Sequence, residues 1–149
     1  MGEPVGPVRL HLDEGACTGC LSCVVVCAER HTGQSSLSRS RIQVTVDPLS
    51  AAHSGRYCRQ CRKAPCAAAC PAGAIRFDSQ YRVWLVDEPL CTGCGLCVEA
   101  CPFQAMWLDP SNGLALKCDL CRDAAWCVEV CPAGALSVKG REQGRSHGR

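Results

Sequence analysis

Sixteen cysteines fall into four groups of four along 149 residues, with none left over. The groups are Cys17-Cys20-Cys23-Cys27, Cys58-Cys61-Cys66-Cys70, Cys91-Cys94-Cys97-Cys101 and Cys118-Cys121-Cys127-Cys131. Three end in Cys-Pro, at Pro71, Pro102 and Pro132, and the third reads C-x2-C-x2-C-x3-C-P without deviation. That spacing holds a [4Fe–4S] cluster. Three closely spaced thiolates let one loop wrap three corners of a cube, with backbone N–H groups turned toward the sulfides. Gly19, Gly93 and Gly95 stand inside such loops, where glycine permits positive φ and close backbone approach. Where two such runs combine, the fourth cysteine ligates the other run's cluster. Four complete sets imply four [4Fe–4S] clusters, iron on all sixteen cysteines, and single-electron transfer.

Two other uses of cysteine fit less well. A disulfide scaffold belongs to short secreted chains, yet residues 1–14 carry Glu3, Asp13 and Glu14 and no apolar stretch of a secretory signal. Zinc ribbons separate C-x2-C pairs by roughly 15–20 residues, without triples closed by Cys-Pro. No cysteine pair precedes a histidine and no C-x3-C-x2-C occurs, which removes covalent haem and the radical-enzyme arrangement. The apolar runs are a few residues long, such as Val24-Val25-Val26, so no membrane insertion is expected. The expected location is the cytoplasm.

Only seven residues are aromatic, thin for an ordinary core, so the clusters themselves must serve as staples. Coordinating thiols are deprotonated outright, which turns the formal net charge of +2 into roughly −6 for the loaded chain. Nucleic acid is therefore not an expected partner. No nucleotide-binding glycine loop, acid–base pair or substrate-pocket signature is present, and no catalytic residue is assigned.

A repeat positions the ligands. After each Cys-Pro comes a matched segment: Cys70-Pro-Ala-Gly-Ala-Ile-Arg-Phe, Cys101-Pro-Phe-Gln-Ala-Met-Trp-Leu and Cys131-Pro-Ala-Gly-Ala-Leu-Ser-Val. Each reads as a turn, an alanine and a brief strand. Further strands are predicted at Val8–Leu12, Ile42–Val46, Val83–Val86 and Leu114–Lys117, and short helices at Leu96–Cys101 and Trp126–Cys131. Group one departs from the repeat: Ala28 follows Cys27, then Glu29-Arg30-His31-Thr32-Gly33 opens a polar stretch through Arg41. Groups two and four stretch the third spacing, to x4 before Cys66 and x5 before Cys127.

With these departures the chain, from about Val8 to Lys139, resembles the four-cluster ferredoxin-like iron–sulfur subunits of multi-subunit oxidoreductases. Arg-Ile-Gln-Val at 41–44, Cys-Arg-Gln-Cys at 58–61 and Leu-Lys-Cys-Asp-Leu-Cys at 116–121 carry the resemblance. The family includes electron-transfer subunits of formate dehydrogenase and dimethyl-sulfoxide reductase. It also includes compact polyferredoxins accompanying carbon monoxide dehydrogenase, hydrogenases and tungsten aldehyde oxidoreductases, a closer match because long insertions are missing. The resemblance implies an α+β fold of two stacked dicluster modules. Residues 1–57 (group one) and 113–140 (group four) would form a discontinuous outer module around an inner one at 58–112. A disordered basic tail would follow at 141–149.

Spacing alone lets group three pair with group two or with group four. The resemblance implies a nested scheme: Cys17, Cys20 and Cys23 with Cys131 (cluster 1), and Cys118, Cys121 and Cys127 with Cys27 (cluster 2). Cys58, Cys61 and Cys66 then join Cys101 (cluster 3), and Cys91, Cys94 and Cys97 join Cys70 (cluster 4). It further implies a large catalytic oxidoreductase subunit as partner. A second acceptor subunit, a ferredoxin or further copies of the chain would take electrons at the far end. The alternative is a free, diffusible polyferredoxin serving several redox partners.

The remaining candidates read plainly. Arg59, Arg62 and Lys63 beside group two, and Lys117 and Arg122 beside group four, are expected as solvated charges compensating an anionic cluster. Trp84, Trp107 and Trp126 are packing residues. His11, His31, His53 and His147 are expected on the surface or in loops, with His31 placed to cap a cluster turn.

Overall fold

The computed structural model describes residues 6–140. The tail expected at 141–149, with His147 in it, lies outside the described residues. The strands form four separate two-stranded antiparallel sheets. β1 (Arg9–Leu12) pairs with β8 (Leu136–Lys139), Arg9 opposite Lys139 and Leu12 opposite Leu136. β2 (Gln43–Val46) pairs with β3 (His53–Arg56), and β4 (Ile75–Asp78) with β5 (Val83–Val86). β6 (Trp107–Leu108) pairs with β7 (Ala115–Leu116). This is the α+β mixture expected, with every strand but β3 at or within two residues of a predicted position.

Each cysteine group opens a helix. They are α1 (Ser22–Thr32), α2 (Pro65–Ala69), α3 (Leu96–Ala100) and α4 (Trp126–Val130). The last three stop one residue before the fourth cysteine. Cys70, Cys101 and Cys131 each take extended backbone, with ψ of 111°, 113° and 109°. The cause is the proline that follows, whose ring disfavours the α region for the preceding residue. Group one has Ala28 there instead. Its helix runs on past Cys27 to Thr32, eleven residues in all, and ends where Gly33, at φ 71°, donates its N–H to Glu29 O at 2.7 Å. This is a Gly-capped C-terminus. The polar stretch from Glu29 thus starts as helix.

α1 packs against α4 and α2 against α3. Two cores result. One gathers Leu10, Leu12, Val24, Ile42, Tyr57 and Leu136 around Cys23, Cys27, Cys58, Cys118 and Cys127. The other gathers Ala64, Ile75, Met106 and Ala115 around Cys66 and Cys97. Arg39 spans a long sequence separation, its Nε within 3.0 Å of both carboxylate oxygens of buried Asp109.

Three expectations need correction. His11 is exposed on β1, as expected, whereas His31 and His53 are half-buried within α1 and β3, where helix packing and strand pairing override the polar character that suggested surface or loops. β3 was not predicted because His53-Ser-Gly-Arg has little strand propensity; pairing with β2 imposes it. Lys117 is 2% exposed rather than solvated.

Candidate functional site

One backbone turn recurs at all four groups. The residue two after the first cysteine has positive φ in each: Gly19 (70°), Gln60 (50°), Gly93 (72°) and Leu120 (56°). That left-handed step folds the chain back so that an amide meets the thiol behind it. Gly19 N–H lies 3.4 Å from Cys17 Sγ, and Gln60 N–H 3.3 Å from Cys58 Sγ. Glycine fits this position without strain. At Gly93 it is also required for space, because a Cβ would sit 2.5 Å from Gly113 O. Gly93→Ala is therefore expected to lose about one cluster's iron, whereas Gly134→Ala, with nothing within 4 Å, costs only about 1 kcal/mol of left-handed strain. Iron per chain after anaerobic purification checks both.

The segments after the fourth cysteines share a second device. Ala74, Ala105 and Ala135 N–H groups donate to Cys70, Cys101 and Cys131 Sγ at 3.3, 3.4 and 3.3 Å. Each arrives through a left-handed residue at Gly73, Gln104 or Gly134. Cys27, lacking this turn, receives its amide from Arg41, fourteen residues on, at 3.2 Å. Arg41 in turn is fixed by Asp119, Nη1 to Oδ2 at 3.2 Å. Sequence reasoning missed Arg41's part; the signal available was the absent proline, which demands another donor.

Two of the thiol sets each line a single hollow. Cys58, Cys61, Cys66 and Cys101 come together around one. Cys70, Cys91, Cys94 and Cys97 come together around the other. In the other half of the chain, proximity shows in the thiols' electrostatics. Burial first, then repulsion from Cys20, Cys17 and Cys131, pushes the Cys23 thiol up to about 11. Burial, then Cys121, Cys27 and Cys23, pushes Cys127 up to about 12. Cys118 is raised well above the ordinary thiol range by burial and by Cys127, with Cys27 and Cys58 adding to it. No disulfide joins any two of the sixteen cysteines. Caged thiols that repel one another resist deprotonation until a cation compensates them, so these residues fit a cationic iron–sulfide core.

The other candidates divide. His31 Nε2 is 3.6 Å from Cys121 Sγ and 4.0 Å from Asp119 Oδ1. It stands at the turn of group four rather than that of its own group. Trp84 Nε1 donates to Cys61 O at 2.9 Å, and its ring meets Phe77 edge-on. Trp107 Nε1 donates to Ser40 O, and Trp126 lies under Arg30. The tryptophans pack, as expected. Arg62 and Lys63 are exposed and Arg59 half-buried, stacked on Tyr57.

Fold and thiol arrangement define an iron–sulfur electron-transfer protein. Residues 49–141 match the 4Fe-4S dicluster domain family and residues 14–30 the 4Fe-4S binding domain; the chain belongs to the dicluster family. It is 37% identical over 123 residues to the thiosulfate reductase electron transfer subunit PhsB of Salmonella typhi, covering 78% of this chain and 62% of that one. It is 34% identical over 116 residues to the protein NrfC of Escherichia coli, covering 74% of this chain and 52% of that one. The chain thus spans just over half the length of these relatives. Among solved structures it is similar to a chain of the active site complex BamBC of benzoyl coenzyme A reductase with 1,5-dienoyl-CoA. The TM-score is 0.53 at 27% identity, covering 95% of this chain and 82% of that one. The chain is thus of the iron–sulfur electron-transfer class. Among the described residues no helix is long and apolar enough to cross a membrane.

Proposed function

We propose that this chain is the four-cluster electron-transfer subunit of a cytoplasmic oxidoreductase, wiring a large catalytic subunit to an external carrier. Each cluster, when bound, supplies a one-electron site. The ligand sets are those of the nested scheme: Cys17, Cys20, Cys23 and Cys131; Cys118, Cys121, Cys127 and Cys27; Cys58, Cys61, Cys66 and Cys101; Cys91, Cys94, Cys97 and Cys70. The two modules are the outer one from residues 1–57 and 113–140 and the inner one from 58–112, supported by the pairing of α1 with α4 and α2 with α3.

One observation carries the reading. Neighbouring sets are felt in series: Cys127 by Cys23 across the outer pair, and Cys118 by Cys58 across the divide. Cys66 and Cys97 then share one core. The proposed order is one, two, three, four. The exposed thiols Cys20 and Cys94 lie in the first and last sets, so each end of the line has an edge open to a partner. Buried thiols in the middle sets exclude water from the path. The outer module is proposed to face the catalytic subunit and the inner one the acceptor. Within the class, the proposed partner is a compact tungsten or molybdenum oxidoreductase or a carbon monoxide dehydrogenase, supported by the short connections between the four groups.

Anaerobic purification tests the proposal. About 16 iron and 16 sulfide per chain are expected, together with a co-purifying large subunit that holds its own metal. Stoichiometric zinc with little sulfide overturns the cluster reading. Full iron on a chain that never associates with a catalytic subunit favours the diffusible polyferredoxin instead.

A further inference from the structure

Lys117 is the largest side chain that the fold buries completely. An ammonium has three donors and no acceptor. Two of its bonds are accounted for: Nζ donates to Trp84 O at 2.6 Å and to Cys118 O at 3.3 Å. These carbonyls belong to β5 and to the start of group four, so the lysine crosses from one half of the chain to the other. Among the described residues no carboxylate lies within ion-pair distance of it. A buried cation without a counter-charge is strongly disfavoured, which asks what anion it serves.

The hollow it borders gives the answer. Lys117 lines the same cavity as Cys58, Cys61, Cys66 and Cys101, and no acidic residue lines that cavity. We propose that Lys117 is a potential-setting residue for the third ligand set, its buried charge making that cluster easier to reduce than the fourth. The inference rests on the cluster ligation proposed above. A positive charge held in a low-dielectric site favours the state with one more electron, because that state carries one more negative charge. Although Lys117 adjoins Cys118 in sequence, its ammonium reaches across to Trp84 O, and Trp84 lines the hollow of the third set with it. The fourth set, around Cys70 and Cys94, has no buried cation lining its hollow. Between these two neighbouring clusters, the electron therefore rests on the third.

The test uses the holoprotein. Lys117→Met and Lys117→Gln are titrated redox-potentiometrically with electron paramagnetic resonance detection, beside Lys117→Arg. In the uncharged variants one cluster is expected to be harder to reduce. At the poise that half-reduces it in the native chain, its reduced-to-oxidised ratio should fall at least tenfold, about 59 mV for one electron. The shifted signal must be the one that Cys61→Ser alters, and the arginine variant should keep most of the native value. Lys117→Gln retains donors for both carbonyls, so it guards against a collapse of Lys117→Met. Unmoved potentials in Lys117→Gln at full iron overturn the proposal, and they do so whether or not Lys117→Met folds. An equal shift in Lys117→Arg would assign the effect to packing, and a shift confined to the Cys121 cluster would assign it to the wrong set; either overturns the proposal. Native iron well below about 16 per chain would instead sink the ligation reading, leaving the two failures distinct.

Discussion

Stripped of iron by chelation or oxidation, this chain is expected to unfold altogether. The helices other than α1 have five residues each, far short of the roughly 12–15 at which even favourable isolated helices become marginal. Every sheet has two strands, and an isolated two-stranded hairpin is marginal at best. Cysteines stand in the middle of both cores, so removing what they bind leaves apolar side chains facing voids. Where metal binding and folding are one event, site occupancy contributes on the order of 10 kcal/mol, more than a chain of this size has to spare. Far-ultraviolet circular dichroism and limited proteolysis before and after chelation check the expectation. A cooperative apo-protein with native spectra would show that the clusters are passengers. Alkali should weaken any bare cage further. Thiols such as Cys127, raised from 9.0 to about 12, keep protons that the unfolded chain releases above about 9. Stability is then lost as pH climbs from 9 toward 12.

The second large effect is crosswise. Cys131→Ser is expected to abolish or alter the cluster held by Cys17, Cys20 and Cys23, more than a hundred residues away in sequence, while sparing the one held by its neighbours Cys121 and Cys127. Cys27→Ser should do the reverse, and Cys101→Ser should strike the set of Cys58, Cys61 and Cys66. The repulsion that Cys131 exerts on Cys23, and Cys27 on Cys127, is the basis. Cys131→Ser has a further consequence because Ala135 N–H, its amide partner, immediately precedes β8. Loosening that turn loosens the β1–β8 pair as well. Iron content should fall by about a quarter, and the resonance of one cluster should change. Loss of the group-four signal on Cys131→Ser, or a Cys27 thiolate bound in group two, would dismantle the nested scheme.

Much of this was legible because cysteine and proline act locally. The Cys-Pro-x-x-Ala repeat marked three turns whose amides do meet the sulfurs, since proline's ring and the left-handed residue after it leave the chain few other paths. The β4, β6 and β8 strands followed from the same repeat. Group one was harder to read. Val24-Val25-Val26 is a β-branched run with low helix propensity, and only packing of α1 on α4 holds it helical. The amide supplied by Arg41 could not be located because it comes from a distant loop and uses no side-chain chemistry. Lys117 was misjudged for a related reason. A charge beside a cysteine group is usually at the surface, and its burial depends on Trp84 O lying across from it, a tertiary contact that spacing cannot show.

The β1–β8 pair ties the start of the described chain to its end, and this imposes a timetable on maturation. Under the proposed nested scheme, residues through Cys101 offer both complete four-thiol sites of the inner module while the polypeptide is still being made. Group one, though synthesised first, then waits for its closing ligand until Cys131 and Leu136 emerge. The earliest cysteines are therefore the last to be closed, and for most of synthesis they are the ones open to oxygen, to stray metals and to the machinery that delivers iron and sulfide.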